Sequence, residues 1–308
     1  MTTTGVVLMT YGAPSGEADL PRYLAAVRAG KAPDDALVAE MARRYAAIGG
    51  SPLVAMTERQ AAALERALGP DHLVRAGMRF SEPSIACAID SLLESGATRV
   101  VGVCLSPQWS DGLMDGYERA ARAALASRAG VAFAMPHAWH REPAFVDALA
   151  GLVRDALAGP PPGGSAGLDP SVPVVLTAHS LPKRIFDAEP GYVAQLRETA
   201  ELVAARAGLA PDRWRWAYQS AGHTAGEWLR PDLTELFPEL AAAGHRAVLV
   251  APVQFLSDHL EVLYDLDIAA AAQARTAGLE YHRIAMPNTD ARFIAALATV
   301  VTRAADAF

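Results

Sequence analysis

Val174-Val175-Leu176-Thr177-Ala178-His179-Ser180-Leu181-Pro182 is an apolar, β-branched run that delivers a histidine where it stops, with Ser180 and Pro182 opening a loop beyond. Such a run reads as a buried strand. In open parallel α/β sheets, ligands bind in the crevice outside the carboxyl ends of the strands, so His179 stands at a site by position. An imidazole can take or give a proton in catalysis. Read without its neighbours, it is equally a histidine that hydrogen-bonds a loop backbone.

A second stretch repeats this grammar. Ala247-Val248-Leu249-Val250-Ala251-Pro252-Val253 reads as another buried strand, and Ser257-Asp258-His259-Leu260-Glu261-Val262-Leu263-Tyr264-Asp265 follows as a short loop and a helix. Glu261 and Asp265 stand four apart on one helical face. Two carboxylates so placed repel by a few tenths of a kcal/mol, a cost that is tolerable where a cation or proton passes between them. Asp258 and Glu261 also have capping-box spacing, which would make both residues part of a helix start.

Outward from these stretches the alternation continues. Residues 5–11 form a first strand ending at Tyr11 and the Gly12-Ala13-Pro14 turn, and helical periodicity covers about 17–29, 35–48 and 55–68. Strands near 72–77 and 99–105 alternate with helices near 82–95 and 115–129, and Trp214 to Gln219 is a further strand. The stretch Gly159-Pro160-Pro161-Pro162-Gly163-Gly164-Ser165-Ala166-Gly167 is the one break in composition. It predicts an N-terminal α/β domain over 1–158, a linker over 159–171 and a second α/β domain over 172–288. The expected fold is α/β, with two doubly wound, Rossmann-like parallel-sheet domains facing a central cleft.

Composition bounds the function. The chain has 308 residues, 52% of them hydrophobic and 20% charged, enough for two cores of ordinary size. With 27 basic against 34 acidic residues and 7% aromatics, it suits neither nucleic acid nor an anionic bilayer. No segment approaches the roughly 20 apolar residues of a membrane span, and no charged leader precedes the first strand, so a cytoplasmic location is expected. Cys87 and Cys104 lack zinc or disulfide spacing and read as core thiols. His137 and His140 suggest a metal pair, but no third ligand is nearby and the surface reading is preferred. A Gly-x-Ser-x-Gly elbow is absent, and the first strand leads to Gly-Ala-Pro rather than Gly-x-Gly-x-x-Gly, which removes the serine-hydrolase and dinucleotide readings.

Six motifs occur together and in order: Tyr11-Gly12-Ala13-Pro14, Arg44-Tyr45-Ala46-Ala47-Ile48-Gly49-Gly50-Ser51-Pro52-Leu53, Ala178-His179-Ser180-Leu181-Pro182, Gln219-Ser220, Trp228-Leu229-Arg230-Pro231-Asp232 and Asp258 to Asp265. This set resembles the ferrochelatases over nearly the whole chain, through Met286-Pro287-Asn288 and a last helix at 289–308. It is most similar to the soluble bacterial branch that inserts iron into coproporphyrin. The resemblance implies a chelatase-like fold with the last helix packed back on the first domain. It implies His179 and Glu261 as catalytic residues, and His179, Glu261, Tyr11 and Asp265 as metal contacts. Tyr11 is the residue that points to the coproporphyrin branch.

The resemblance further implies that Tyr11, Arg28, Arg44, Ser51, Trp109 and Tyr117 bind substrate. Arginine forks suit a tetracarboxylate rim, and Arg28 and Arg44 match substrate contacts, although Ala29 stands where some relatives are basic. Between Arg22 and Pro33 the chain offers Tyr23, Leu24 and Val27 among Ala, Gly and charges, too little apolar surface for stable membrane anchoring. The loop from Ser220 to Trp228 matches a cleft-lining segment, with His223 given no catalytic role. Ala269 interrupts the acidic ridge one turn beyond Asp265, which predicts weaker auxiliary metal binding. No cysteine follows Cys104, so the iron–sulfur cluster of some members is not expected. Ferrous iron is expected as substrate, with no tightly bound cofactor and no nucleic-acid partner. A monomer is expected, in transient contact with the enzymes before and after it in the haem pathway. Three readings compete with coproporphyrin ferrochelatase: a protoporphyrin IX ferrochelatase, a cobalt chelatase acting on sirohydrochlorin, and a non-catalytic porphyrin or haem carrier. The last would need neither a base nor an acidic track.

Overall fold

A computed structural model describes residues 3–159, 167–221 and 226–308. The chain forms two compact units, one of Met1–Trp139, Ser257–Leu260 and Asn288–Phe308, the other of His140–Leu256 and Glu261–Pro287.

In the first unit, β1 (Thr4–Thr10) is buried along its whole length, the pattern of a central parallel strand covered on both faces. It lies between β2 (His72–Met78) and β3 (Arg99–Cys104), and β3 carries the short edge strand β4 (Ala132–Ala134). All pairings are parallel, in the order β2-β1-β3-β4. Helices α1 (Leu20–Val27), α2 (Asp35–Ala47), α3 (Leu53–Leu68), α4 (Ile85–Glu94) and α5 (Asp111–Leu125) supply the connections. Helix α5 starts four residues before its apolar periodicity suggests, because the Ser110 hydroxyl caps it by accepting from the Leu113 N–H at 3.3 Å. Val7, Met9, Ile89, Leu92 and Val100 join Ala121 and Tyr117 in one core.

The second unit opens with α6 (Pro143–Ala158), followed by β5 (Val174–His179), α7 (Lys183–Ala188), α8 (Pro190–Ala207), β6 (Trp214–Gln219), α9 (Leu233–Ala242) and β7 (Ala247–Pro252). A π-helix over Glu261–Ala270 then runs into α10 (Ala271–Thr276) and the edge strand β8 (Glu280–Arg283), which the sequence reading did not anticipate. The sheet is again parallel, in the order β6-β5-β7-β8.

The predicted boundary after residue 158 falls one helix late. Helix α6 buries Phe145, Val146, Leu149 and Val153 and packs on α8, with Arg206 paired to Asp147 at 2.8 Å, so it belongs to the second unit. Proline and glycine mark a loop, but tertiary contacts mark a domain. Residues 160–166 of the expected linker, and His223, lie outside the described residues. Helix α11 (Ala291–Ala305) sets Phe293, Ile294, Leu297 and Val301 against the first unit, packing on α3 and β3. No described helix is long and apolar enough to cross a membrane.

In each sheet the chain passes from the central strand to one neighbour and then crosses to the other side. The order therefore reverses at the carboxyl ends of β1 and β3, and of β5 and β7. Such reversals are where open α/β sheets bind ligands. The close fit of α4 on the first sheet is testable at Gly77, where an added Cβ would lie 2.9 Å from the Ile85 Cα and 3.0 Å from the Val7 side chain. Gly77→Ala is expected to cost about 1–3 kcal/mol, read as a lowered Tm in calorimetry.

Candidate active site

His179 is the last residue of β5 and is half-buried. Its Nδ1 lies 2.5 Å from the Ser180 carbonyl oxygen, which can only accept, so Nδ1 carries the ring proton in the neutral form. The lone pair is then left on Nε2, which faces Glu261 Oε1 at 3.9 Å. The backbone is held on both flanks: the Ser180 N–H donates to the Gln219 carbonyl at 2.7 Å, and the His179 N–H donates to Gln254 Oε1 at 2.8 Å. This is a histidine oriented to use Nε2 as a base or a ligand.

Glu261 opens the π-helix, and Asp265 follows it there, half-buried. The sequence reading placed the two carboxylates on an α-helical face, and the structure corrects this. With i→i+5 bonding, residues four apart fall just short of a full turn instead of just past it, so both still project to one side. The buried residues Val262, Leu266, Ala270 and Ala274 keep a strict four-residue step, which is the signal that could have revealed the wider turn. Asp267 is paired elsewhere, with the Arg283 guanidinium at 2.6 and 2.9 Å. Asp258, the other candidate for a helix start, has its N–H bonded to Asn288 Oδ1 at 2.9 Å and its Oδ2 to Asn288 Nδ2 at 2.7 Å. Among the described residues no three or more His, Cys, Asp or Glu side chains gather where they could hold a metal ion.

In the first unit, Tyr11 follows β1 and is 42% exposed. The turn beneath it is tightly held: the Gly12 carbonyl accepts from the Tyr23 hydroxyl at 3.0 Å, and the Ala13 N–H donates to Ser81 Oγ at 3.2 Å. Gly12 has φ 91°, and a Cβ there would come within 2.3 Å of Ser81 Oγ, so only glycine fits. The phenol ring packs edge-on against Phe80 at 4.7 Å. Beside Phe80 lies Arg79, its guanidinium 4.8 Å from the Phe80 ring and 5.1 Å from that of Tyr117, with Nη1 donating to the Leu113 carbonyl at 2.9 Å. Two expected substrate residues, Tyr11 and Tyr117, are thus linked by two that the sequence reading missed. The available signal was an arginine at the carboxyl end of a buried strand.

Tyr117 and Trp109 are both core side chains, 5% and 8% exposed. Trp109 stacks on His137 at 4.1 Å and gives its indole N–H to Asp111 at 2.7 Å. Arg28 ends α1 and donates to the Ala32 carbonyl at 3.4 Å. Arg44 is held by Glu40 at 2.7 Å, and Arg43 by the same carboxylate at 2.9 Å. Hydrogen bonds from Arg43 and Arg44 hold the Glu40 carboxyl down at about 2, so it remains ionised at neutral pH. Ser51 follows Gly49 and Gly50, whose φ values are 70° and 93°, and accepts from the Leu53 N–H at 3.4 Å where α3 begins. Two further sequence expectations fail. His140 is only 4% exposed and bonds Glu198 at 2.9 Å, and Cys87 is exposed because the buried face of α4 is Ile85, Ala88, Ile89 and Leu92. Cys104 is buried, which pushes its thiol up to about 12.

A sequence model described as Ferrochelatase matches residues 3–305. The chain belongs to the ferrochelatase family. Its members are metal chelatases of the lyase class, acting in haem biosynthesis. The chain is 38% identical over 306 residues to the ferrochelatase of Deinococcus radiodurans, covering 98% of this chain and 96% of that one. It is 36% identical over 308 residues to the coproporphyrin III ferrochelatase of Geobacillus kaustophilus, with 98% and 96% covered. The sirohydrochlorin chelatase SirB of Bacillus subtilis, in complex with cobalt, shares the fold at a TM-score of 0.58 and 11% identity, over 99% of this chain and 96% of that one.

Arg79 can be tested through its neighbour Gly116, where an added Cβ would fall 2.1 Å from the Arg79 Nη2 atom. Because that atom ends a flexible side chain, Gly116→Ala should displace the guanidinium without lowering Tm, alanine being the better helix former by about 1 kcal/mol. Unchanged Tm in calorimetry, with an altered near-ultraviolet circular dichroism signal from the Tyr117 ring, is the expected outcome.

Proposed function

We propose that the protein inserts ferrous iron into coproporphyrin III, releasing two protons. The observation that carries the chemistry is the His179 side chain, with Nδ1 tied to the Ser180 carbonyl and Nε2 facing Glu261 at 3.9 Å. Metallation must remove two pyrrole protons and exchange the water around iron for four ring nitrogens. His179 Nε2 accepts a pyrrole proton or meets the incoming ion, and Glu261 and then Asp265 take protons or cations along the π-helix. Tyr11 offers a phenolic oxygen, a hard donor suited to iron.

The preference for coproporphyrin rests on the relatives that bear that name and on the cations of the first unit. A tetracarboxylate needs charge-assisted donors at its rim, and Arg28, Arg44 and Ser51 are the residues that would provide them, with Trp109 and Tyr117 as the aromatic substrate contacts. Arg44 already holds Glu40, so a propionate would share or displace that pair.

The test is anaerobic ferrous-iron insertion without detergent, with coproporphyrin III, protoporphyrin IX and sirohydrochlorin offered in parallel. Turnover favouring coproporphyrin is expected, and porphyrin binding with no turnover on any of them would leave a carrier in its place. His179→Ala should abolish insertion while porphyrin binding persists, and full retained activity would remove the residue from the mechanism. Arg28→Ala and Arg44→Ala should each raise KM for coproporphyrin about tenfold or more, the weight of one charge-assisted contact, with a smaller change for protoporphyrin.

A further inference from the structure

The parallel ladder between β5 and β7 stops one step before the histidine. Odd-numbered residues of β5 face β7: the Leu249 N–H donates to the Pro173 carbonyl at 3.1 Å, and the Val253 N–H to the Thr177 carbonyl at 2.9 Å. Strand pairing ends at Thr177 opposite Pro252, yet the His179 N–H points the same way and needs an acceptor. It receives one from a side chain. Gln254 Oε1 accepts it at 2.8 Å, in place of a backbone carbonyl of β7. The amide of Gln254 is itself oriented, because Nε2 donates to the hydroxyl of Tyr192, a 2% exposed residue of α8, at 2.9 Å. On the β6 flank the backbone does the same work, through the Ser180 N–H to the Gln219 carbonyl.

We propose that Gln254, oriented by Tyr192, is a positioning residue for His179: it completes the sheet ladder with a side-chain amide and thereby fixes the direction in which Nε2 presents its lone pair. The proposal rests on the assignment of His179 to iron insertion. Gln254 acts through the backbone of His179. Its loss leaves the imidazole in place but free to swing, and a displacement on the order of 1 Å at a reacting group costs up to about 100-fold in rate.

The test uses the full chain. Gln254→Met keeps length and removes both donor and acceptor, whereas Gln254→Glu keeps the acceptor and lets the Tyr192 hydroxyl donate in return. The Met variant should lose about 10- to 100-fold in kcat with porphyrin KM within about twofold, the Glu variant should recover most of it, and Tyr192→Phe should lose less than Met. Amide hydrogen exchange at His179 should quicken in the Met variant, and its nitrogen-15 ring signals should move from a single Nδ1–H tautomer to a mixture. Wild-type kcat in the Met variant, or a loss confined to Tm, would overturn the proposal. If His179→Ala proved fully active, the assignment of His179 would fall, while faster amide exchange in Gln254→Met would still establish the tie itself.

Discussion

The hydrogen-bonded flanking of β5 is the constraint on which the second unit depends. A strand with neighbours on both edges and buried on both faces has its direction set by the ladder as far as Thr177, and on the β7 edge the Gln254 amide continues that ladder to the last residue. That direction places the imidazole of His179 where Nδ1 meets the Ser180 carbonyl, and this contact decides the tautomer. The chemistry available at Nε2 follows from backbone geometry before any substrate arrives.

The first unit uses the same topology to a different end. Its central strand also ends at a reversal of strand order, but the residue delivered there is a tyrosine on a glycine turn with no room for a Cβ. Phe80, Arg79 and Tyr117 continue from that phenol as alternating aromatic and cationic groups. A guanidinium between two rings gains from their quadrupoles while keeping donors for an anion. The cations of this unit are thus held in different ways: Arg79 among aromatic faces, and Arg44 by a carboxylate on its own helix. A pair four residues apart on a helix such as the latter contributes about 0.3–0.5 kcal/mol, so its removal costs the fold little.

Buried polar groups join distant parts of the chain within the first unit. Gln60, fully buried on α3, donates to Ser257 Oγ at 3.0 Å and to the Asn288 carbonyl at 2.8 Å, and Asn288 in turn pairs with Asp258. These bonds favour one arrangement, because another would bury the Gln60 and Asn288 amide donors away from the acceptors they have here. Through this network the segment Ser257–Leu260 is anchored within the first unit.

The sequence by itself determined the two parallel sheets, the strands that end in Tyr11 and His179, and the family. These rest on local chemistry: β-branched runs bury, and short polar residues stop them. Several features were decided only by tertiary structure. Helix α6 joined the second unit because its apolar face meets α8, and a glycine- and proline-rich stretch carries no record of that contact. The π-helix hid behind an ordinary-looking spacing of carboxylates, since hydrogen-bond register does not appear in residue order. Arg79 and Gln254 escaped notice for one reason. Each acts through a partner distant in the chain, Arg79 on the Leu113 carbonyl and the Tyr117 ring, and Gln254 on His179 and Tyr192. A side chain whose role is to supply what a remote backbone group lacks can be recognised only once the fold has brought the two together.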